Sequence, residues 1–68
     1  MKGLGARLRS LREEKGMTQK QVGDLVGLTY HSVLCWEKEK AEPSAEMIVK
    51  LCEIFNCTSD FLLGIKEF

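Results

Sequence analysis

No apolar run in this sequence approaches the roughly 18 residues that a membrane-spanning helix needs. The N-terminal stretch MKGLGARLRS is too charged for the apolar centre of a secretory signal. A cytoplasmic setting with reduced thiols, and no membrane partner, is therefore expected. Histidine occurs once and proline once. There is no glycine-rich phosphate loop, no carboxylate pair in a foreseeable cleft, and a single histidine beside a hydroxyl is not a catalytic triad, so an enzyme is not expected. The three cysteines are spaced C-x16-C and C-x4-C, with no CxxC. Structural zinc takes four ligands, often in close pairs, so no metal and no cofactor is expected. Cys52 and Cys57 fall at core positions, where cysteine behaves as a small hydrophobe. Linkers, repeats and low-complexity segments are absent as well.

Net charge is zero over 68 residues, yet its distribution is uneven. Residues 1–40 hold eight Lys/Arg against five Asp/Glu, and residues 41–68 hold two against five, so a +3 half faces a −3 half. A nucleic-acid binder needs a local basic footprint rather than a basic isoelectric point, and +3 is a modest one. The length allows one domain, residues 1–68, with a small core, and such domains gain from self-association.

The stretch Thr18–Glu37, TQKQVGDLVGLTYHSVLCWE, organises the rest. Thr18 suits an N-cap for a helix over Gln19–Val26, and Gly27 suits the left-handed residue that ends it. Thr29 then caps a second helix reaching about Lys38. Val22, Val26, Leu28, Val33 and Trp36 are expected on one inward side, and small Gly23 lets the two helices approach. This pattern describes a helix-turn-helix over residues 18–38, whose second helix enters the DNA major groove.

Around it, Leu4, Leu8 and Leu11 predict a first helix over about Lys2–Lys15, stopped by Gly16, with Met17 entering the core. Arg7, Arg9 and Lys15 read as its solvated face. Ser44 caps a fourth helix with core positions Ile48, Leu51, Cys52 and Phe55, ended by a left-handed Asn56. Thr58 caps a fifth, with Asp60 near its positive end, Leu62 buried and Gly64 as its stop. Apolar residues are left over: Met47, Val49, Ile54, Phe61, Ile65 and Phe68. They suggest a self-association face near helix 5 and the C-terminus.

Taken together, Arg12, Gly16, Thr18-Gln19, Gly23, Gly27, Val33, Trp36-Glu37, Glu42-Pro43-Ser44, Asn56 and Thr58–Gly64 resemble the Cro/C1-type (XRE-like) regulators, the family of the lambdoid phage repressors. The resemblance covers nearly the whole chain. It implies an all-α, compact five-helix, lambda-repressor-like DNA-binding domain. It also implies an ion pair of Arg12 with Glu37 that fixes how the recognition helix is presented. Gln19 and, less directly, Lys20 would meet phosphates. Tyr30, His31 and Cys35 fall where base-reading side chains sit, with Ser32 and the cap Thr29 beside them, and Lys38 and Lys40 flank the groove. Leu34 is expected on the same outward face, free for a partner. No residue of this set offers the bidentate arginine–guanine contact, so a modest, A/T-leaning preference is expected. Glu39 departs from the family, which usually has glycine there. Either a non-glycine residue adopts the left-handed turn, or helix 3 runs on.

The function so implied is sequence-specific double-stranded DNA binding and transcriptional regulation, by repression, as a homodimer on a pseudo-palindromic operator. A different class stays open: a protein-interaction module on the same fold, such as an antitoxin or a regulator that sequesters another. A third is a thiol sensor centred on Cys35, since oxidation there would block docking.

Overall fold

The computed structural model describes residues 2–65. Five helices follow one another, with no strand among the described residues: α1 Leu4–Glu14, α2 Gln19–Val26, α3 Tyr30–Glu37, α4 Ala45–Phe55 and α5 Ser59–Leu63. The start and stop chemistry accounts for these bounds. Thr18 accepts from the Gln21 backbone N–H at 3.1 Å while the Gln21 side chain accepts from the Thr18 N–H at 2.8 Å, a reciprocal capping box. Ser44 and Thr58 cap α4 and α5 in the same one-directional way, accepting from Met47 and Phe61. Gly27 (φ 78°) and Asn56 (φ 52°) end α2 and α4 in the left-handed region.

Helix α1 begins at Leu4, two residues inside the expected start, because left-handed Gly3 breaks the helix before it. Glu39 takes the left-handed conformation at φ 57°, so α3 stops at Glu37 and does not run on. Its carboxylate accepts from the Gly3 backbone N–H at 3.1 Å. A charge-assisted bond thus partly offsets the strain of a side chain in that region.

The core joins Leu4 and Leu8 of α1, Val22 and Val26 of α2, Val33 and Trp36 of α3, Ile48, Leu51 and Phe55 of α4, and Leu62 of α5. Burying such side chains is worth about 1.5–3 kcal/mol each before chain entropy is subtracted. Cys52, expected in that core, is only half-buried at its edge, as is Cys57. Burial first, then the neighbouring Cys57, pushes the Cys52 thiol up to about 11.

Three expectations are corrected here. Leu28 does not join the inward row; it is 40% exposed, because the chain turns outward between Gly27 and Thr29. Leu34 is half-buried rather than outward. Arg7 is not a solvated face residue: its Nε donates to the Leu62 carbonyl at 2.9 Å and its Nη2 to the Lys2 carbonyl at 3.2 Å. The guanidinium occupies the negative end of α5, where a cation is favoured. Of the leftover apolar residues, Val49 and Ile65 are 58% and 68% exposed, while Met47, Ile54 and Phe61 are half-buried; Phe68 lies outside the described residues.

Candidate nucleic-acid interface

Two glycines set the spacing of the helices that carry this surface. A Cβ on Gly23 of α2 would stand 2.8 Å from the backbone of Thr29, so α2 and the start of α3 meet backbone to backbone. A Cβ on Gly5 of α1 would collide with the backbone carbonyl of Glu37. Gly5 was not singled out from the sequence. Its signal, a glycine one position after a core leucine inside a helical pattern, marks a close approach only once the neighbouring helix is known.

Where α1 and α3 meet, Arg12 and Glu37 form a two-pronged ion pair. Nε to Oε2 is 2.6 Å and Nη2 to Oε1 is 3.1 Å. The side chains are 13% and 5% exposed. Arg12 also donates to the Met17 carbonyl at 2.9 Å, and Gln19 Nε2 donates to Glu37 Oε1 at 3.2 Å. The carboxylate therefore ties α1, the start of α2 and the end of α3, and Arg12 adds the α1–α2 turn. The hydrogen bond that Arg12 donates to Glu37, together with the Glu37 charge, raises the Arg12 pKa against the opposing effect of burial. No buried side-chain nitrogen or oxygen among the described residues lacks a partner. That is the condition under which a buried pair is tolerated.

This junction forms the floor of an open cleft of about 480 Å³, with Arg9, Gln19, Leu34 and Lys38 on its walls. Arg9 was not among the candidate residues, and it sits in a solvent-exposed pair with Glu13 at 3.2 Å. The backbone N–H groups that open α2 lie beside the cleft, and such groups attract anions.

On α3 the structure brings the candidate readers together. Tyr30 is 55% exposed and stands edge-on to the exposed His31 ring, with centroids 6.4 Å apart at 85°. His31 Nε2 lies 3.5 Å from Cys35 Sγ, one turn along. Ser32 and Cys35 are half-buried, so Cys35 presents less surface than a solvent-facing position implies, because its thiol folds back onto His31. Thr29 occupies the N-cap in extended conformation, but its side chain makes no capping bond. Lys38 and Lys40 are exposed beyond the end of α3. Lys20 pairs with Asp24 at 3.0 Å, both largely exposed, an interaction worth only about 0.2–0.5 kcal/mol that a phosphate can displace.

A helix-turn-helix packed into a five-helix frame, with Tyr30 and His31 exposed on its second helix, defines a DNA-binding fold class. The comparisons agree. Residues 8–62 match the family described as helix-turn-helix. The HTH-type transcriptional regulator ImmR of Bacillus subtilis is 30% identical over 64 residues, 94% of this chain and 50% of that protein. The SPbeta prophage-derived regulator YonR of Bacillus subtilis is 37% identical over 59 residues, 87% of this chain and 55% of that protein. In three dimensions the chain resembles the P22 c2 repressor solved in complex with a synthetic operator. The TM-score there is 0.85 at 27% identity, covering 91% of this chain and 94% of that one. The chain belongs to the Cro/C1-type helix-turn-helix family of DNA-binding transcriptional regulators, a family of regulators rather than enzymes. It spans about half the length of these two Bacillus relatives.

Proposed function

We propose that residues 1–68 act as one DNA-binding domain that represses transcription by occupying a pseudo-palindromic operator as a homodimer in the cytoplasm. The observation that carries this reading is the Arg12–Glu37–Gln19 junction, which holds the exposed α3 surface against the opening of α2. In this reading Tyr30, His31, Ser32 and Cys35 contact base edges. Gln19, Thr29, Lys38 and Lys40 meet the sugar–phosphate backbone, with Lys20 a weaker contact because of Asp24. Gln19 keeps a second amide hydrogen for a phosphate while it holds Glu37. Exposed Val49 and Ile65, near α5, supply apolar surface for pairing two copies, so that two α3 helices fall about 34–36 Å apart, one turn of DNA.

The test is selection of bound duplexes from a random pool under reducing conditions. Enrichment of inverted half-sites one turn apart supports the dimeric operator reading; a folded protein that enriches nothing overturns it. One observation favours a second reading, a protein-docking surface on the same helices. Leu25, Leu28 and Tyr30, on α2, the α2–α3 turn and α3, are 59%, 40% and 55% exposed. Salt separates the two, since DNA affinity falls as a power of salt concentration while an apolar contact barely responds.

A further inference from the structure

One pair of side chains on α3 is arranged for chemistry that hydrogen bonding to DNA does not require. His31 and Cys35 are one helical turn apart, the spacing at which side chains meet on a helix surface. Their ligand atoms, Nε2 and Sγ, are 3.5 Å apart. Zinc bonds of about 2.3 Å to thiolate and 2.0–2.1 Å to imidazole, at a tetrahedral angle, place the two ligand atoms about 3.5–3.6 Å from each other. The pair therefore already has the bite of a tetrahedral chelate. The Tyr30 ring stands edge-on to the imidazole at 85°, with centroids 6.4 Å apart. The cysteine spacings alone exclude a closed structural site, and no group of three or more His, Cys, Asp or Glu side chains among the described residues is placed to hold a metal. A two-ligand open site is a different object, and its pattern in the sequence is H-x3-C rather than any cysteine pair.

We propose that His31 and Cys35 form a two-ligand site for a zinc-like divalent cation on the outward surface of α3. On binding, the Cys35 thiol releases its proton to solvent and the Sγ–metal bond forms. Nε2, with its ring proton on Nδ1, gives the second bond, and metal-bound waters leave until two remain in the tetrahedral shell. Water keeps the remaining positions. Thiolate and imidazole are ligands of the softness that suits zinc, and magnesium or calcium would not compete. The consequence for regulation rests on the DNA-binding reading: a hydrated cation among Tyr30, His31 and Cys35 separates this surface from base edges and weakens operator binding.

Cobalt(II) titration of the fully reduced, desalted 68-residue chain tests the site without DNA. A sulfur-to-cobalt charge-transfer band with tetrahedral d–d absorption is expected, reversed by zinc. His31→Ala and Cys35→Ser should each lose it, with helix content unchanged by circular dichroism, and Cys52→Ala/Cys57→Ala should keep it. No band in the parent chain, or a band that persists in His31→Ala and Cys35→Ser, overturns the site. A band lost only with Cys52 and Cys57 does so too. In a second arm, the ratio of affinities for a selected duplex with and without zinc is measured. The ratio should fall below one in the parent chain and return to one in Cys35→Ser. A ratio of one in both overturns the regulatory consequence while the cobalt result stands. Failure to bind any duplex, with the cobalt band present, counts against the DNA reading alone.

Discussion

Helices α1–α3 and helices α4–α5 share one apolar core but differ in the directional contacts added to it. Helices α1, α2 and α3 meet at two backbone contacts made possible by Gly5 and Gly23, and at one carboxylate that accepts from both Arg12 and Gln19. Helices α4 and α5 are held by buried Ile48, Leu51, Phe55 and Leu62 and by hydroxyl caps at Ser44 and Thr58. Burial is roughly proportional to area and indifferent to direction, so it can support a helix without fixing its angle. In the proposed reading α3 presents Tyr30, His31 and Cys35 to base edges, and a helix with that task needs directional bonds. Arg7 joins the two regions, from α1 to the end of α5, while Glu39 ties the end of α3 to Gly3 within the first.

That contrast can be broken most strongly at Glu37. Replacing Glu37 by Ala strands the largely buried Arg12 guanidinium and should cost about 3–5 kcal/mol, a large part of the roughly 5–15 kcal/mol of a native domain. A urea titration would show it. The double replacement Arg12→Met with Glu37→Leu should recover most of that stability yet bind a selected duplex more weakly. Full affinity in the double variant would show that the pair does not position α3. In the apolar region, Leu51→Ala should cost a comparable 2–5 kcal/mol through lost burial and a cavity. The fraction that stays folded should bind duplex as the parent does; weaker binding there would mean that burial, too, sets the angle of α3.

The comparison sharpens with smaller changes. Gly23→Ala forces a methyl group against the Thr29 backbone and should cost about 1–3 kcal/mol, with duplex affinity falling alongside thermal stability. Glu39→Gly removes left-handed strain of about 1–2 kcal/mol but loses a charge-assisted bond to Gly3. The net change should be a gain of no more than about 1 kcal/mol, readable as a small rise in Tm. The smallest effect concerns Cys52. Burial keeps its proton on the folded chain to about 11, above the ordinary thiol value of 9.0. Its stabilisation is thus complete below 9.0 and lost as pH rises through about 11. Alkylation of Cys52 should be slow at neutral pH and accelerate only as pH nears that value. Fast labelling at pH 7 would contradict it.

Much of this architecture was legible as one-dimensional chemistry. Thr18, Ser44 and Thr58 declared helix starts, and Gly27, Asn56 and Gly64 declared stops, because capping and left-handed turns are decided by a residue and its immediate neighbours. The spacing of Leu4 and Leu8, and of Ile48, Leu51 and Phe55, declared the inward faces for the same local reason. The Arg12–Glu37 ion pair came from the family resemblance, not from spacing, since 25 positions separate the two residues.

Other features depended on which surfaces meet. Leu28 reads as core in a row of apolar residues, and only the path of the turn exposes it. Arg7 reads as solvated on its own helix, and only the arrival of the α5 carbonyls gives it a partner. Gly5 and Glu39 look unremarkable or misplaced until the backbone of α3 and the N-terminus of α1 are brought beside them. Caps, stops and periodic faces follow from contacts within a turn or two of helix, which sequence neighbours determine. The partners of Arg7, Gly5 and Glu39 follow from packing, which only the assembled helices define.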